Sequence, residues 1–247
     1  CWKSRISAAA ITTFTGWKNG WSGNRRPDPM APDTSAVLTP ETLLRAYARG
    51  IFPMAEGRDD PRIFWVDPRW RGVIPMHGFR MSRSLRRRVR SQAFAVSYDS
   101  DFAGVLDGCA DRPETWMNQT IIDLYLSLHA AGVAHSVELR SGGTLVGGVY
   151  GVAIGTAFFG ESMFSRETNA SKVAMLHLMA RLRIGGFHFI DAQFSNEHLV
   201  QFGLIAMDDA DYQLILEKAL TAEADFFAAA PDQLSATRVL QSITQTS

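Results

Sequence analysis

Cysteine is scarce in this chain. Only Cys1 and Cys109 occur among its 247 residues. Their spacing fits no metal site, and they make no disulfide framework. A small, stapled secreted domain is excluded, and a reducing compartment is expected. Net charge is lacking too, because 25 basic residues balance 25 acidic ones. No overall field draws the chain to a polyanion, so a nucleic-acid partner needs a local basic patch. No run of about 18 apolar residues is present, which argues against a transmembrane helix. The six histidines form neither HxxxH nor HExxH, so no metal site is expected. The glycines at 142, 143, 147, 148, 151, 155 and 160 match neither GxGxxG nor a Walker loop. They read as turns and bulges of a hairpin. Ser162 lies outside any GxSxG, so a hydrolase nucleophile is not expected there.

What is present is a core. Hydrophobic residues make up 46% of the chain, as in a globular domain. Residues 1–37 form an expected non-native or disordered extension. Within the first 30 residues five basic residues (Lys3, Arg5, Lys18, Arg25, Arg26) stand against one acid, Asp28, and the apolar stretch near Ala8 to Phe14 is too broken for a secretory segment. The weaker alternative is a transit-like peptide. A small N-terminal domain is expected over 38–78, a larger domain over 79–222, and a weakly ordered Ala-rich tail over 223–247.

Thr39-Pro40 opens a helix that Gly50 ends. Short strands follow at Ile63 to Val66 and Val73 to Pro75. Ser82 starts an arginine-rich helix through Val89. Phe94 to Tyr98 alternates as a strand. Helices are expected over Phe102 to Cys109 and Gln119 to Ala131. Strands come next at His135 to Arg140, Leu145 to Val152 and Thr156 to Phe159. A helix runs from Val173 to Ile184, a strand from Phe187 to Ile190, and helices over Asn196 to Phe202 and Asp209 to Leu220. This order is α+β, or mixed α/β, and is compatible with the fold of N-acetyltransferases.

Three polar residues stand beside dense apolar sequence. Glu161 follows the strand ending Phe158-Phe159-Gly160. A carboxylate so close to aromatics is either paired or functional, and a surface glutamate at a strand end is the plain alternative. Asp191 and Gln193 lie two apart, so an extended segment would turn both to one side. Taken alone, Asp191 is at least as well read as a turn-capping residue. Arg83, Arg86, Arg87 and Arg90, with Arg80 and Arg88 nearby, form the strongest basic cluster. No acid interrupts residues 78–98, so the patch suits phosphates, although a solvated helix face explains it too. Trp65, Trp70 and Trp116 are candidates to stack a base.

Several ordered motifs resemble the leucyl/phenylalanyl-tRNA–protein transferase family over about residues 40–220. They are Leu44-Arg45-Ala46-Tyr47 with Gly50-Ile51-Phe52-Pro53, Phe64-Trp65 with Asp67-Pro68, Ser82-Arg83-Ser84-Leu85, Thr115-Trp116, His135-Ser136-Val137-Glu138, Gly147-Gly148-Val149-Tyr150-Gly151-Val152, Gly160-Glu161-Ser162-Met163-Phe164-Ser165 and Asp191-Ala192-Gln193. Met54 stands where a tryptophan is common, and Asp208-Asp209 where a basic pair is usual.

The resemblance implies a small N-terminal domain and an N-acetyltransferase-like domain. It also implies transfer of Leu or Phe, with Met a further candidate, from aminoacyl-tRNA to a protein with N-terminal Arg or Lys. That transfer marks the acceptor for degradation in the cytoplasm. The implied protein is a monomer with no membrane partner. Glu161, Asp191 and Gln193 would be catalytic. Trp116, Tyr125, Val149, Phe158 and Met175 would bind substrate, and Arg83, Arg86, Arg87 and Arg90 would bind tRNA. An aminoacyl ester is already activated, so no cofactor is expected. The alternatives are a CoA-dependent N-acyltransferase and a noncatalytic RNA-binding module.

Overall fold

The computed structural model describes residues 38–77, 81–230 and 234–244. The extension expected over 1–37 and Arg80 of the basic cluster lie outside the described residues. Helix α1 (Pro40–Tyr47) starts as its sequence dictates, with Thr39 Oγ1 accepting from Thr42 N–H at 3.2 Å and Pro40 in the first turn. Gly50 then turns the chain at φ +76°, a conformation that glycine adopts without strain. Strands β1 (Phe52–Met54) and β2 (Phe64–Val66) pair antiparallel as a separate two-stranded sheet.

The main sheet has seven strands among the described residues, in the order β4-β5-β6-β7-β8-β3-β9. These are β3 (Trp70–Pro75), β4 (Ala95–Tyr98), β5 (Ala134–Ser141), β6 (Thr144–Ile154), β7 (Ala157–Ser165), β8 (Phe189–Asp191) and β9 (Ile205–Asp208). Every pairing is antiparallel except β7 with β8, which helix α5 (Ala170–Ile184) connects as a parallel crossover. The expected α+β class, with a small N-terminal unit and a larger domain, is what the chain adopts.

Two apolar cores flank the sheet. One gathers residues of α1, of α3 (Phe102–Ala110), of α4 (Gln119–Ala130) and of α7 (Asp209–Thr221). The other gathers residues of α2 (Arg83–Arg90), of α5 and of α8 (Ala236–Thr244). Helix α5 is buried on nearly all sides, so its apolar residues are not confined to one stripe.

Four expectations are corrected. The N-terminal unit ends before residue 78, because β3 is an inner strand bonded to both β8 and β9. Strand β7 does not stop at Phe159 but runs to Ser165, pairing with β6 throughout. Strand β9 is an additional strand, and the short α6 (Glu197–Val200) precedes it. The tail is not weakly ordered over its described residues: Phe226, Leu234, Val239, Leu240 and Ile243 are buried in the second core. Its alanine content hid a short amphipathic helix whose apolar residues complete the cover of α5.

Candidate active site

The register between β6 and β7 slips at one place. Tyr150 faces Ser162 and Gly151 faces Gly160, so Glu161 is the extra residue of a β-bulge. A bulge re-aims side chains and strengthens local twist. Phe159 and Phe164 both reach the first core although they lie five apart, and the bulge supplies that change of phase. Glu161 therefore points inward from the middle of a strand, not outward from its end.

Glu161 is only 9% exposed, yet its carboxylate is well supplied with donors. Tyr47 of α1 donates to Oε1 and Tyr125 of α4 to Oε2, each at 2.7 Å. Gln193 Nε2 also donates to Oε2, at 2.9 Å. Tyr150 stands edge-on to Tyr125, with ring centroids 5.2 Å apart. Burial pushes the Glu161 carboxyl up to about 7, against the opposing pull of the bonds from Tyr125, Tyr47 and Gln193. Burial likewise raises Tyr47 and Tyr125 well above the ordinary phenol range, with the nearby Glu161 charge adding to it. Both phenols stay protonated near neutral pH and act as donors.

Gln193 and Asp191 do not share an extended strand. Strand β8 ends at Asp191, and Gln193 turns left-handed at φ +62°. Its backbone N–H donates to Asp191 Oδ1 at 2.7 Å. Asp191 is fully buried, and its Oδ2 accepts from Tyr212 Oη at 2.6 Å and stands 3.4 Å from Arg71 Nε.

Beside this cluster, where β7 and β8 part after Phe159 and Asp191, a cleft of about 590 Å³ opens. Val149, Met163, Met175, Leu178 and Ile190 give it an apolar wall, and Trp116 and Phe194 add aromatic surface. Glu161 and Gln193 also line it, with Asp111, Arg112, Arg166 and His198 among its other polar groups. A concave site that sets an apolar wall against polar groups suits a ligand with an apolar side chain and a polar reacting end.

The structure thus brings Glu161, Gln193, Trp116, Val149 and Met175 together around one cleft. Tyr125 sits behind Glu161, and Asp191 behind Gln193. Phe158 is elsewhere. It is fully buried in the second core, behind the cleft residues Val149, Met175 and Ile190 of that same core, beside Phe187 and Phe226 at 6.3 and 6.2 Å. The basic helix α2 is also apart, since Arg83, Arg86, Arg87 and Arg90 do not line the cleft. Leu85 and Val89 anchor its inner side. Arg88 lies over Phe94 and pairs with Glu167 at 3.7 Å.

Tyr47, Arg71 and Tyr212 escaped the sequence reading. The two tyrosines that hold Glu161 lie 78 residues apart, and no spacing rule joins them. Arg71 carried a signal, a cation entering the apolar strand Gly72-Val73-Ile74, which requires a partner once buried.

Fold and site together define an α+β protein with an enzyme-like cleft, apolar along one wall and lined also by a buried acid held by phenols and an amide. The leucyl/phenylalanyl-tRNA protein transferase family matches residues 73–217, and that family's N-terminal domain matches residues 36–69. The break between the two matches falls at the start of β3. A leucyl/phenylalanyl-tRNA–protein transferase of Maricaulis maris is 56% identical over 211 residues, covering 84% of this chain and 97% of that protein. One of Ruegeria pomeroyi is 57% identical over 210 residues, covering 85% and 99%. The solved structure of FemX aligns with a TM-score of 0.47 at 12% identity, covering 68% of this chain and 66% of that one. The chain belongs to the leucyl/phenylalanyl-tRNA protein transferase family.

Proposed function

We propose that the protein moves leucine or phenylalanine from an aminoacyl-tRNA to the α-amine of a protein that begins with Arg or Lys. The acceptor is thereby marked for degradation. The activity is cytoplasmic, where charged tRNA is made, and the protein acts as a monomer without a membrane partner. Among the described residues no helix is long and apolar enough to cross a membrane. The observation that carries the reading is the cleft with an apolar wall and with Glu161 and Gln193 in its lining, in a chain of this family.

The donor's apolar side chain lies against Val149, Met175 and Leu178. Trp116, which lines the cleft, stacks on the terminal adenine. Binding both reactants side by side supplies roughly 7–11 kcal/mol of the barrier. The acceptor α-amine has an ordinary pKa near ~8 and must shed a proton to attack. Glu161 is matched to that task, since its carboxyl titrates at about 7 and proton transfer is most efficient when the group titrates near the working pH. As the new C–N bond forms and the ester C–O bond breaks, the amine's proton passes to Glu161. Glu161 then returns a proton to the departing ribose 3′-oxygen. Gln193, which gives its amide nitrogen to Glu161, offers its amide oxygen to the incoming amine. The chemistry uses the ester's own activation and calls for no cofactor.

Labelled leucyl-tRNA and an Arg-initiated peptide test the reading. Labelled peptide, formed only with charged tRNA, is the expected result. Product formed only with an acyl-CoA would make the protein a CoA-dependent acyltransferase. RNA binding with no product from either donor would make it a binding module.

A further inference from the structure

We infer that Arg71, Gly72 and Tyr212 are positioning residues for the transfer reaction, holding Asp191 and the turn after it so that the Gln193 amide meets Glu161. The inference rests on the roles given to Glu161 and Gln193 above.

Gln193 is a left-handed residue with a side chain, a conformation that must be held by its surroundings. Three independent contacts hold it. Asp191 Oδ1 accepts its backbone N–H at 2.7 Å. Gly72 N–H donates to its carbonyl at 3.2 Å, and Ala192 N–H donates to the Gly72 carbonyl at 2.8 Å. The turn also lies flush on β3, where a Cβ at Gly72 would stand 2.6 Å from the Phe194 carbonyl oxygen. Gly72 therefore admits a close approach that no other residue allows.

Asp191 is fixed from behind. Tyr212 Oη donates to its Oδ2 at 2.6 Å, and Arg71 Nε lies 3.4 Å from the same atom. The side chains of Arg71 and Asp191 are 1% and 0% exposed. Arg71 is itself sandwiched, its guanidinium 4.5 Å from the Tyr212 ring centre and 5.1 Å from that of Phe52, and it donates to the Gly50 carbonyl. Gly50 leaves room for this, because a Cβ there would stand 2.7 Å from Tyr212 Cε1. A buried ion pair gains little stability over well-packed apolar residues. What this pair does provide is a rigid anchor, built from β3, α7 and the turn after α1.

None of Arg71, Asp191 and Tyr212 lines the cleft. Both Asp191 oxygens are engaged from within the protein. Asp191 therefore acts through Gln193 and does not touch the amine. Letting the turn relax by about 1 Å would break the bond from Gln193 to Glu161, and misplacement on that scale costs on the order of 10²-fold in rate.

The test compares Tyr212→Phe, Gly72→Ala, Arg71→Lys and Arg71→Met, with leucyl-tRNA and an Arg-initiated peptide as substrates. Tyr212→Phe deletes one hydroxyl and keeps the ring. It should lower kcat about 10- to 100-fold, with KM for leucyl-tRNA nearly unchanged and a cooperative thermal transition retained. Gly72→Ala should do the same, and Arg71→Lys should keep more activity than Arg71→Met. The deciding readout is a double variant. In a Gln193→Ala background, Tyr212→Phe should cost less than about 2-fold more, because residues acting through one shared partner are not additive. Wild-type kcat in Tyr212→Phe and Gly72→Ala overturns the inference. So does an undiminished Tyr212→Phe loss in the Gln193→Ala background, which would show a purely structural role. A wild-type protein that transfers nothing would sink the functional reading and this inference together. Normal wild-type transfer with unaffected variants sinks this inference alone.

Discussion

The phenol oxygens of Tyr47 and Tyr125 stand 2.6 Å apart while each also lies 2.7 Å from a different oxygen of Glu161. Three short oxygen–oxygen contacts thus close a ring. Two phenols supply two protons. With Glu161 ionised, both protons point to the carboxylate and the contact between the tyrosines has none. With Glu161 protonated, each contact holds one proton and the ring is complete. The two phenol bonds favour the ionised carboxylate, and burial outweighs them to push the carboxyl up to about 7.

The sign of the resulting stability effect follows from linkage. The folded carboxyl titrates at about 7, above its model value of 4.5. Between those limits the native state holds a proton that the unfolded chain has released. Stability from this group is full at low pH and is lost as pH rises through the folded value, at about 1.4 kcal/mol per pH unit at most. Glu161→Gln removes the titration. The variant should lose transfer activity by ~10²-fold or more. Its melting temperature relative to wild type should climb from pH 5 to about pH 7 and level off above that. A constant difference across that range would show that Glu161 is ionised throughout.

Most of the element order was legible from the sequence, because caps and punctuation are local. Thr39-Pro40, Ser82, and the Gly142-Gly143 turn each mark a boundary by their own chemistry. Glu161 was legible as a residue but not as a geometry. Its inward aim depends on the bulge opposite Tyr150 and Gly151, and bulges follow from pairing between strands. Gln193 failed in the same way, since the extended pattern of Asp191-Ala192-Gln193 yields to a turn dictated by contact with Gly72. The resemblance implied Phe158 as part of the apolar pocket; it packs in the same core as Val149 and Met175 but lies beneath them and does not line the cleft.

The apolar wall should set donor preference. Val149, Met175, Leu178 and Ile190 line it, and flexible Met175 tolerates varied shapes. Donors unbranched at Cβ should react well, and Cβ-branched ones poorly. A misfit of one methyl group is worth only ~1–3 kcal/mol, so discrimination should be partial. Competition among leucyl-, phenylalanyl-, isoleucyl- and valyl-tRNA measures it. Equal kcat/KM for leucyl- and isoleucyl-tRNA would contradict this wall.

The C-terminal segment should be indispensable to the fold. Phe226, Leu234, Val239, Leu240 and Ile243 are each at most 7% exposed. Burying one such side chain is worth roughly 1.5–3 kcal/mol, as an upper estimate. Five together rival the whole stability of a typical domain, about 5–15 kcal/mol. A chain ending at residue 222 should therefore lack a cooperative thermal transition, and Val239→Asp should destabilise the full chain strongly. A truncated protein melting within a few degrees of the full chain would return the tail to a peripheral role.

The basic helix should serve tRNA without serving chemistry. Arg83, Arg87 and Arg90 are exposed and Arg86 is half-buried, all on the side of α2 away from Leu85 and Val89. That is the i, i+3, i+4, i+7 arrangement of one broad face. Arg88 lies off this face and pairs with Glu167, so that acid neutralises a residue outside it. The face should meet acceptor-stem phosphates and not base edges, because repeated cations at helical spacing match a line of charges and carry no sequence code. Reversing two charges, Arg83→Glu with Arg87→Glu, should raise KM for leucyl-tRNA. It should also flatten the salt dependence, since each lost phosphate contact lowers the slope by about 0.7–0.9. These arginines do not line the cleft, so the transfer rate from an aminoacyl-adenosine, which lacks the acceptor stem, should hardly change. Activity measured with both donors across a salt series separates the roles. An equal loss with the long and the short donor would mean that α2 supports the fold or the chemistry, and that tRNA docks elsewhere.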